Sequence, residues 1–262
     1  MYLWKAWQDS RTRVVVYILA ALCVGGLSGL QVVSYANYHL QQMATPPRWL
    51  ARLSWNFYML ITFEALGAWV IPYAKVAALL AGLSLGASGV GGEYGAGTMP
   101  FVLTRPAPRR NLLFTDWAIG LTAIVIVVGS LAFCVFPFLC YARAQGPGNV
   151  LIALPGLWVW AAAIYGLASF TTLVAGSASK GLVLSAAVVL TYGFLPDALH
   201  SWWHVEALLK ARDWTLQIFN GGWDVFFNGA SVQFHWGAIA FWLAVAAGFL
   251  GASVAWIQYR EL

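Results

Sequence analysis

The stretch Trp117–Leu139, WAIGLTAIVIVVGSLAFCVFPFL, runs for 23 positions without a charged residue. A helix of about 20 such residues is long enough to cross the hydrocarbon core of a bilayer, which is about 30 Å thick. The whole chain shares this character, since 61% of its 262 residues are hydrophobic and only 9% are charged, whereas soluble domains carry roughly 25% charged residues. This composition excludes a water-soluble globule and intrinsic disorder. It predicts an all-α polytopic membrane protein.

Six apolar runs predict six transmembrane helices within a single transmembrane domain, residues 1–262. An N-terminal interfacial helix is expected over Met1–Arg13, where Trp alternates with Lys and Arg. Spans four and five are joined by the few residues Ser177–Lys180, which predicts a tight antiparallel hairpin. The loop Pro196–Trp236 is rich in Trp, His and Phe, which predicts a re-entrant helical external loop between helices 5 and 6. The predicted spans are residues 14–33, 70–90, 117–139, 151–176, 181–195 and 237–257.

The distribution of Lys and Arg predicts the orientation, because cytoplasmic loops carry an excess of these residues close to span ends. Of the 14 basic residues, eight fall on the side of both termini and the 91–116 loop, five fall opposite, and Lys75 lies within a span. We therefore predict a multi-pass protein of the plasma or inner membrane with both termini cytoplasmic. The eight are Lys5, Arg11, Arg13, Arg105, Arg109, Arg110, Lys180 and Arg260, and the five are Arg48, Arg52, Arg143, Lys210 and Arg212.

The net charge of +5 does not indicate a nucleic-acid partner, because the basic residues are scattered and form no stripe. The three cysteines, Cys23, Cys134 and Cys140, all fall inside apolar segments. A disulfide framework needs paired cysteines in an oxidising compartment, so we interpret these three as buried thiols.

His200 and His204 are four positions apart with Glu206 close by, a spacing that resembles a set of metal ligands. Trp202 and Trp203 lie between the two histidines, and paired tryptophans favour a helix at the membrane interface. We predict no metal site.

The segment between spans two and three, GGEYGAGTMPFVLTRPAPRRNLL over residues 91–113, differs from the rest of the chain. Glycines end the second span and Glu93 follows at once. Thr98 and Pro100 suit the start of a short helix, as a cap and a first-turn residue. Such a helix is too short to be stable alone, which predicts that it docks on another protein.

This segment resembles the cytoplasmic loop of ABC-2 type transporter permeases, in which a glutamate, a Gly-Thr pair, a leucine-rich stretch, a proline and an arginine follow in order. Family members usually have a lysine entering span three, where this chain has Asp116. The Ser34–Glu64 segment is also longer than a minimal member needs. The matching positions here are Glu93, Gly97-Thr98, Phe101-Val102-Leu103, Arg105-Pro106 and Arg109.

The resemblance implies the permease subunit of an exporter, in which the 91–116 loop forms a coupling helix seated on a separate ATPase. It also implies a second permease copy or paralogue and two ATPase subunits. The chain has no Gly-x-x-x-x-Gly-Lys-Ser/Thr loop, so ATP and Mg are expected on the partner and this chain is not itself an enzyme. The coupling residues are expected to be Glu93, Gly97, Thr98, Phe101, Leu103, Arg105, Pro106, Arg109 and Arg110.

Two charged residues in the second apolar region are candidates for a substrate path. Glu64 lies eleven positions before Lys75, on the same helical face, and charge inside a membrane is usually functional. Near the membrane boundary, snorkelling of Lys75 to the headgroups is the alternative. Gly82 and Gly86, in a Gly-xxx-Gly spacing, predict close approach to another helix.

Two other functions stay open. The alternatives to the permease are a polytopic membrane enzyme acting on lipids, with Asp197, His200, His204 and Glu206 at the outer face, and a non-transporting membrane assembly factor. Against the enzyme, the sequence has no His-Glu-x-x-His and no Gly-x-Ser-x-Gly motif.

Overall fold

A computed structural model describes residues 11–27, 29–30, 65–89, 109–141, 147–218 and 231–259. About 91% of this part of the chain is helical, and it contains no strand. The helices, in chain order, are α1 (residues 11–27), α2 (Ala65–Ser88), α3 (Arg109–Tyr141), α4 (Asn149–Ile152), α5 (Leu154–Ala175), α6 (Ala178–Trp203), α7 (Glu206–Leu216) and α8 (Trp236–Tyr259).

Four helical stretches are long and apolar enough to cross a membrane: α3, α4 with α5, α6 and α8. They coincide with predicted spans three to six, as expected of an all-α membrane protein. The first two predicted spans are helical where they are described, but whether they cross stays a prediction. Residues 1–10 of the predicted interfacial helix lie outside the described residues, and residues 11–13 are helical and continuous with the rest of α1.

Helix α5 is the centre of the bundle. It packs most extensively against α2 and α8, and it also contacts α6 and α3. Its buried face is dominated by small side chains, including Ala161, Ala163 and Ala168. Small residues let helix backbones approach closely. Inside a membrane this close packing holds helices together, because lipid is as apolar as the helices and no hydrophobic force drives the helices to associate.

Gly82 and Gly86 bring α2 directly onto α5, as their spacing predicted. A β-carbon at Gly86 would lie 2.5 Å from the carbonyl oxygen of Tyr165, and one at Gly82 would lie 3.0 Å from the carbonyl oxygen of Ala161. These contacts are between two helices of the same chain. The Gly-xxx-Gly pair therefore serves packing within the subunit.

The predicted hairpin between spans four and five is confirmed. Gly176 ends α5 in a left-handed conformation with φ 66°, which glycine adopts without steric cost. The Ser177 hydroxyl then accepts a hydrogen bond from the Lys180 backbone N–H at 3.3 Å and caps α6. Gly181 approaches Thr172 so closely that no β-carbon fits between them.

The helix that contains predicted span five is longer than the span itself. Proline usually disfavours the interior of a helix, yet α6 continues past Leu195 through Pro196 to Trp203. Proline lacks the N–H that would bond to the carbonyl of Tyr192, four residues earlier. The next carbonyl, that of Gly193, accepts a hydrogen bond from Arg212 Nη1 at 2.8 Å, which gives this weakened turn an outside donor. The left-handed backbone of His204, with φ 52°, ends the helix.

The three cysteines are free thiols, as predicted, but two of them are exposed on the protein surface. Cys23 and Cys140 lie on outward faces of α1 and α3, so the prediction that they are buried was wrong. An apolar helix in a bilayer has no need to bury a thiol, because lipid covers its outer face. Cys134 lies between the two helices, with its β-carbon 3.0 Å from the position of a β-carbon on Gly25.

Candidate functional site

The structure fixes the two ends of the predicted coupling segment. Helix α2 ends at Ser88 and α3 begins at Arg109, with Arg110 exposed in its first turn. Residues 90–108 lie outside the described residues, so the arrangement of the predicted coupling residues among them stays a prediction. These residues are Glu93, Gly97, Thr98, Phe101, Leu103, Arg105 and Pro106.

A buried carboxylate lies close to the described residues that flank the predicted coupling segment. Asp116, in the second turn of α3, is only 8% exposed. Its Oδ2 lies against the backbone of Gly89, the residue after α2, so closely that no β-carbon fits there. The Tyr165 hydroxyl, from the middle of α5, donates to the Asp116 carbonyl oxygen at 3.1 Å, with Asp116 Oδ2 at 3.4 Å. Asp116 of α3 thus contacts both the residue that follows α2 and the central helix α5.

Trp117 reinforces this contact from the next position. Its ring meets that of Tyr165 edge-on at 5.4 Å between centroids, and its Nε1 donates to the Ser169 hydroxyl at 3.3 Å. Gly120 and Gly166 leave the space in which these two rings lie. We call Gly89, Asp116, Trp117, Tyr165 and Ser169 the inner junction.

Sequence reasoning singled out Asp116 only as a departure from the family pattern. A signal was present, because a lone carboxylate at the start of an apolar run needs hydrogen-bond donors once it is buried. Tyr165 gave no comparable signal, since tyrosine is common in membrane helices. The pairing of Tyr165 with Asp116 could be found only by placing α5 beside α3.

Of the two candidate path residues, Lys75 lies near the middle of α2. Lys75 is half-buried, and its Nζ donates a hydrogen bond to the carbonyl oxygen of Leu216, the last residue of α7, at 3.2 Å. Glu64 lies outside the described residues, so an ion pair between the two stays a prediction. The ammonium of Lys75 is therefore bound to a helix end.

Arg212 attaches α7 to α6. Its guanidinium is bonded to the carboxylates of Asp197 and Asp213 and to the carbonyl of Gly193, and the side chain is only 13% exposed. Hydrogen bonding to Asp197, then to Asp213, raises the pKa of Arg212 above its already high usual value. Its charge is thus fixed at every accessible pH.

The residues of the enzyme alternative have other partners. Asp197 is bonded to Arg212, and Glu206 accepts from Lys210 Nζ at 2.6 Å. That hydrogen bond, together with the lysine charge, holds the pKa of the Glu206 carboxyl below its usual range. The rings of His200 and His204 are 6.2 Å apart and nearly perpendicular.

Within the described ranges, no three His, Cys, Asp or Glu side chains are grouped so that they could hold a metal ion. Trp202 and Trp203 are both exposed at the end of α6, where the sequence predicted a membrane interface. Amphipathic aromatic rings of this kind are enriched at headgroup level.

Comparison of the chain with protein-family models, with curated proteins and with solved structures found no match. The class that the fold defines is therefore the broad one: a helical protein with apolar, membrane-length helices arranged around α5.

Proposed function

We propose that this chain is the permease subunit of an ATP-driven ABC transporter, an exporter with six spans in a plasma or inner membrane. The observation that carries the proposal is the order of residues in the 91–110 segment. Glu93, Gly97-Thr98, Phe101-Val102-Leu103, Arg105-Pro106 and Arg109 follow the pattern of the ABC-2 coupling loop. In this proposal the 91–116 loop and both termini are cytoplasmic.

The packing around the segment supports a mechanical role. A lever must be stiffly joined to the helices that it moves. Helix α2 is held on α5 by the close contacts of Gly82 and Gly86, and α3 is held on α5 by the inner junction. A displacement of a docked 91–108 segment would therefore reach the bundle without being absorbed by loose flanks.

The transporter would consist of two permeases, a pair of identical copies or a copy with a paralogue, and two ATPase subunits that bind ATP and Mg. Closure of the ATPases on ATP would move the coupling segment, and α2 and α3 would carry that movement outward. Glu93 would cap the coupling helix or pair with Arg105, Arg109 or Arg110, which would hold the bend at the end of α2 together.

Affinity capture of the tagged chain from native membranes tests the proposal. An ATPase subunit should co-purify in a one-to-one ratio, and it should be lost when Phe101 and Leu103 are both replaced by Ala. The matched control is Phe133→Ala, which removes an equally large side chain from the exposed face of α3 and should leave the partner bound. Capture of the wild-type chain without any ATPase would contradict the proposal.

Glu93→Ala separates docking from coupling. The variant should still capture the ATPase, but ATP hydrolysis should no longer drive transport in reconstituted vesicles. Transport at the wild-type rate would remove the role assigned to Glu93. In the enzyme alternative, His200→Ala and His204→Ala should instead abolish a lipid-dependent activity of the chain purified alone.

A further inference from the structure

The last turn of α7 receives polar contacts from three different long helices. The Tyr192 hydroxyl of α6 is hydrogen-bonded to the Thr215 hydroxyl. Trp242 Nε1 of α8 donates to the Thr215 carbonyl oxygen at 2.8 Å. Lys75 Nζ of α2 donates to the Leu216 carbonyl oxygen at 3.2 Å. We call these five residues the outer latch.

The chemistry of a helix end explains why a lysine belongs there. The last carbonyls of a helix have no partner within it, and they form the negative end of the helix dipole. The last turn of α7 contains no basic residue of its own. The ammonium of Lys75 supplies the missing cation, and a charge-assisted hydrogen bond is stronger than a neutral one.

The same helix, α2, carries Lys75 and leads directly to the inner junction. Lys75 lies 14 positions before Gly89, which is about 21 Å along a helix, and Gly89 is part of the inner junction. Between these two points, Gly82 and Gly86 fix α2 to the buried α5. Helix α2 thus contacts α7 near its middle, and Gly89, the residue that follows it, contacts Asp116.

We propose that Lys75 is a positioning residue that holds the last turn of α7 to α2, so that movement of α2 is passed to α7. The holding role depends only on the contacts described above, whereas the passing of movement rests on the proposed transport function. Lys75 therefore acts through a backbone carbonyl and needs no contact with a substrate.

Hydrogen exchange of the full-length chain in lipid nanodiscs tests the holding role. Lys75→Met removes the ammonium but keeps an unbranched apolar stem. The amides of residues 213–217 should then exchange about ten- to a hundredfold faster, since a hydrogen bond to a charged group is lost. Lys75→Arg keeps a cationic donor and should restore most of the protection.

Two controls keep the result interpretable. Lys180→Met removes the same charge from an exposed position on α6 and should leave residues 213–217 unchanged. The amides of α5, read in the same experiment, report whether each variant is folded. If Lys75→Met fails to fold, Lys75→Gln loses the charge with a smaller change in polarity and should show the same local effect. Unchanged exchange at residues 213–217 in a folded Lys75 variant would overturn the assignment.

The second arm uses the complex captured from native membranes, with ATP and Mg added. The wild-type complex should show an ATP-dependent change in exchange at α7 that Lys75→Met abolishes. An ATP response that survives in Lys75→Met would overturn the proposal that movement of α2 reaches α7 through Lys75. Absence of any ATP response in the wild type, with the nanodisc effect intact, would instead contradict the proposed transport function and leave the holding role supported.

Discussion

Helices α5 and α6 follow each other through a tight hairpin and are both long and apolar, yet they occupy opposite environments. Each helix was compared over its own 18 most apolar consecutive residues. Of these, 72% are buried within the fold in the α4–α5 stretch, against 11% in α6. Exposed side chains of α6 include Val183, Leu190 and Phe194. Lipid would cover these in a membrane, so they carry no penalty there.

The difference shows that apolarity and centrality are separate properties of a membrane helix. Apolarity decides whether a helix can lie in a bilayer, and both helices satisfy that condition. Because lipid tails are as apolar as leucine, burial is decided by how closely backbones can approach. Helix α5 meets the glycines of α2 with its own backbone and with the side chains of Ile164 and Ala168, whereas α6 presents branched and aromatic side chains outward.

The largest expected effect comes from adding a single methyl group to the α2–α5 contact. Gly86→Ala would place a β-carbon 2.5 Å from the Tyr165 carbonyl oxygen and 2.8 Å from the Ala168 β-carbon, so one helix must shift. We expect a loss of about 3 kcal/mol in the free energy of unfolding, at the upper end of overpacking costs. Unfolding in SDS, followed by circular dichroism, measures it.

The matched control for Gly86→Ala is Gly248→Ala in α8, where a β-carbon would have no atom within 4 Å. Alanine has the higher helix propensity, so this variant should be as stable as the wild type or slightly more stable. Equal destabilisation by the two substitutions would show that close approach of α2 and α5 does not hold the bundle together.

A pair of leucines tests the comparison between α5 and α6 directly. Leu173 of α5 is buried and Leu190 of α6 is 54% exposed. Leu173→Ala leaves a cavity and should cost about 2 kcal/mol in the same unfolding assay. Leu190→Ala loses only contacts with lipid and should lie within about 0.5 kcal/mol of the wild type. If Leu190→Ala is the more destabilising, α6 is covered by protein in the native assembly.

A smaller effect is expected at the inner junction. Tyr165→Phe keeps the ring but removes the hydroxyl that donates to Asp116. We expect a loss of about 1 kcal/mol, typical of one net hydrogen bond, again from SDS unfolding. Tyr259→Phe, at an exposed position near the end of α8, is the control. No difference between the two variants would mean that the hydroxyl contributes nothing to the junction.

Much of the fold could be predicted from the sequence, because membrane spans are long and each carries its own signal. Spans three, four and six, and the hairpin at Gly176–Ser177, follow from apolar length and turn chemistry alone. The continuation of α6 through Pro196 was not predicted; there an arginine from a later helix supplies a donor near the weakened turn. That rescue depends on tertiary structure, which no local rule contains.

The polar contacts could be predicted much less well than the spans. Lys75 was recognised as unusual, but its partner is the backbone of Leu216, and a backbone carbonyl leaves no mark in a sequence. The inner junction joins Asp116 to a glycine and a tyrosine that are distant in the chain. Both sites arise from the packing order of the helices around α5, which periodicity does not determine.

The smallest effect is expected at the exposed pair Glu206–Lys210 on α7. The lysine holds the pKa of Glu206 below its usual range, so the folded state binds the proton less tightly than the unfolded chain does. The stabilisation is therefore present above the unfolded-state pKa and is lost as the pH falls through the folded-state pKa. Lowering the pH from about 7 to about 3 should slightly weaken exchange protection of α7 in the wild type but not in Glu206→Gln, after correction for the intrinsic pH dependence of exchange. The change should be small beside that of Lys75→Met, because exposed ion pairs are weak and screened by salt. An equal change in Glu206→Gln would assign the pH response to another group.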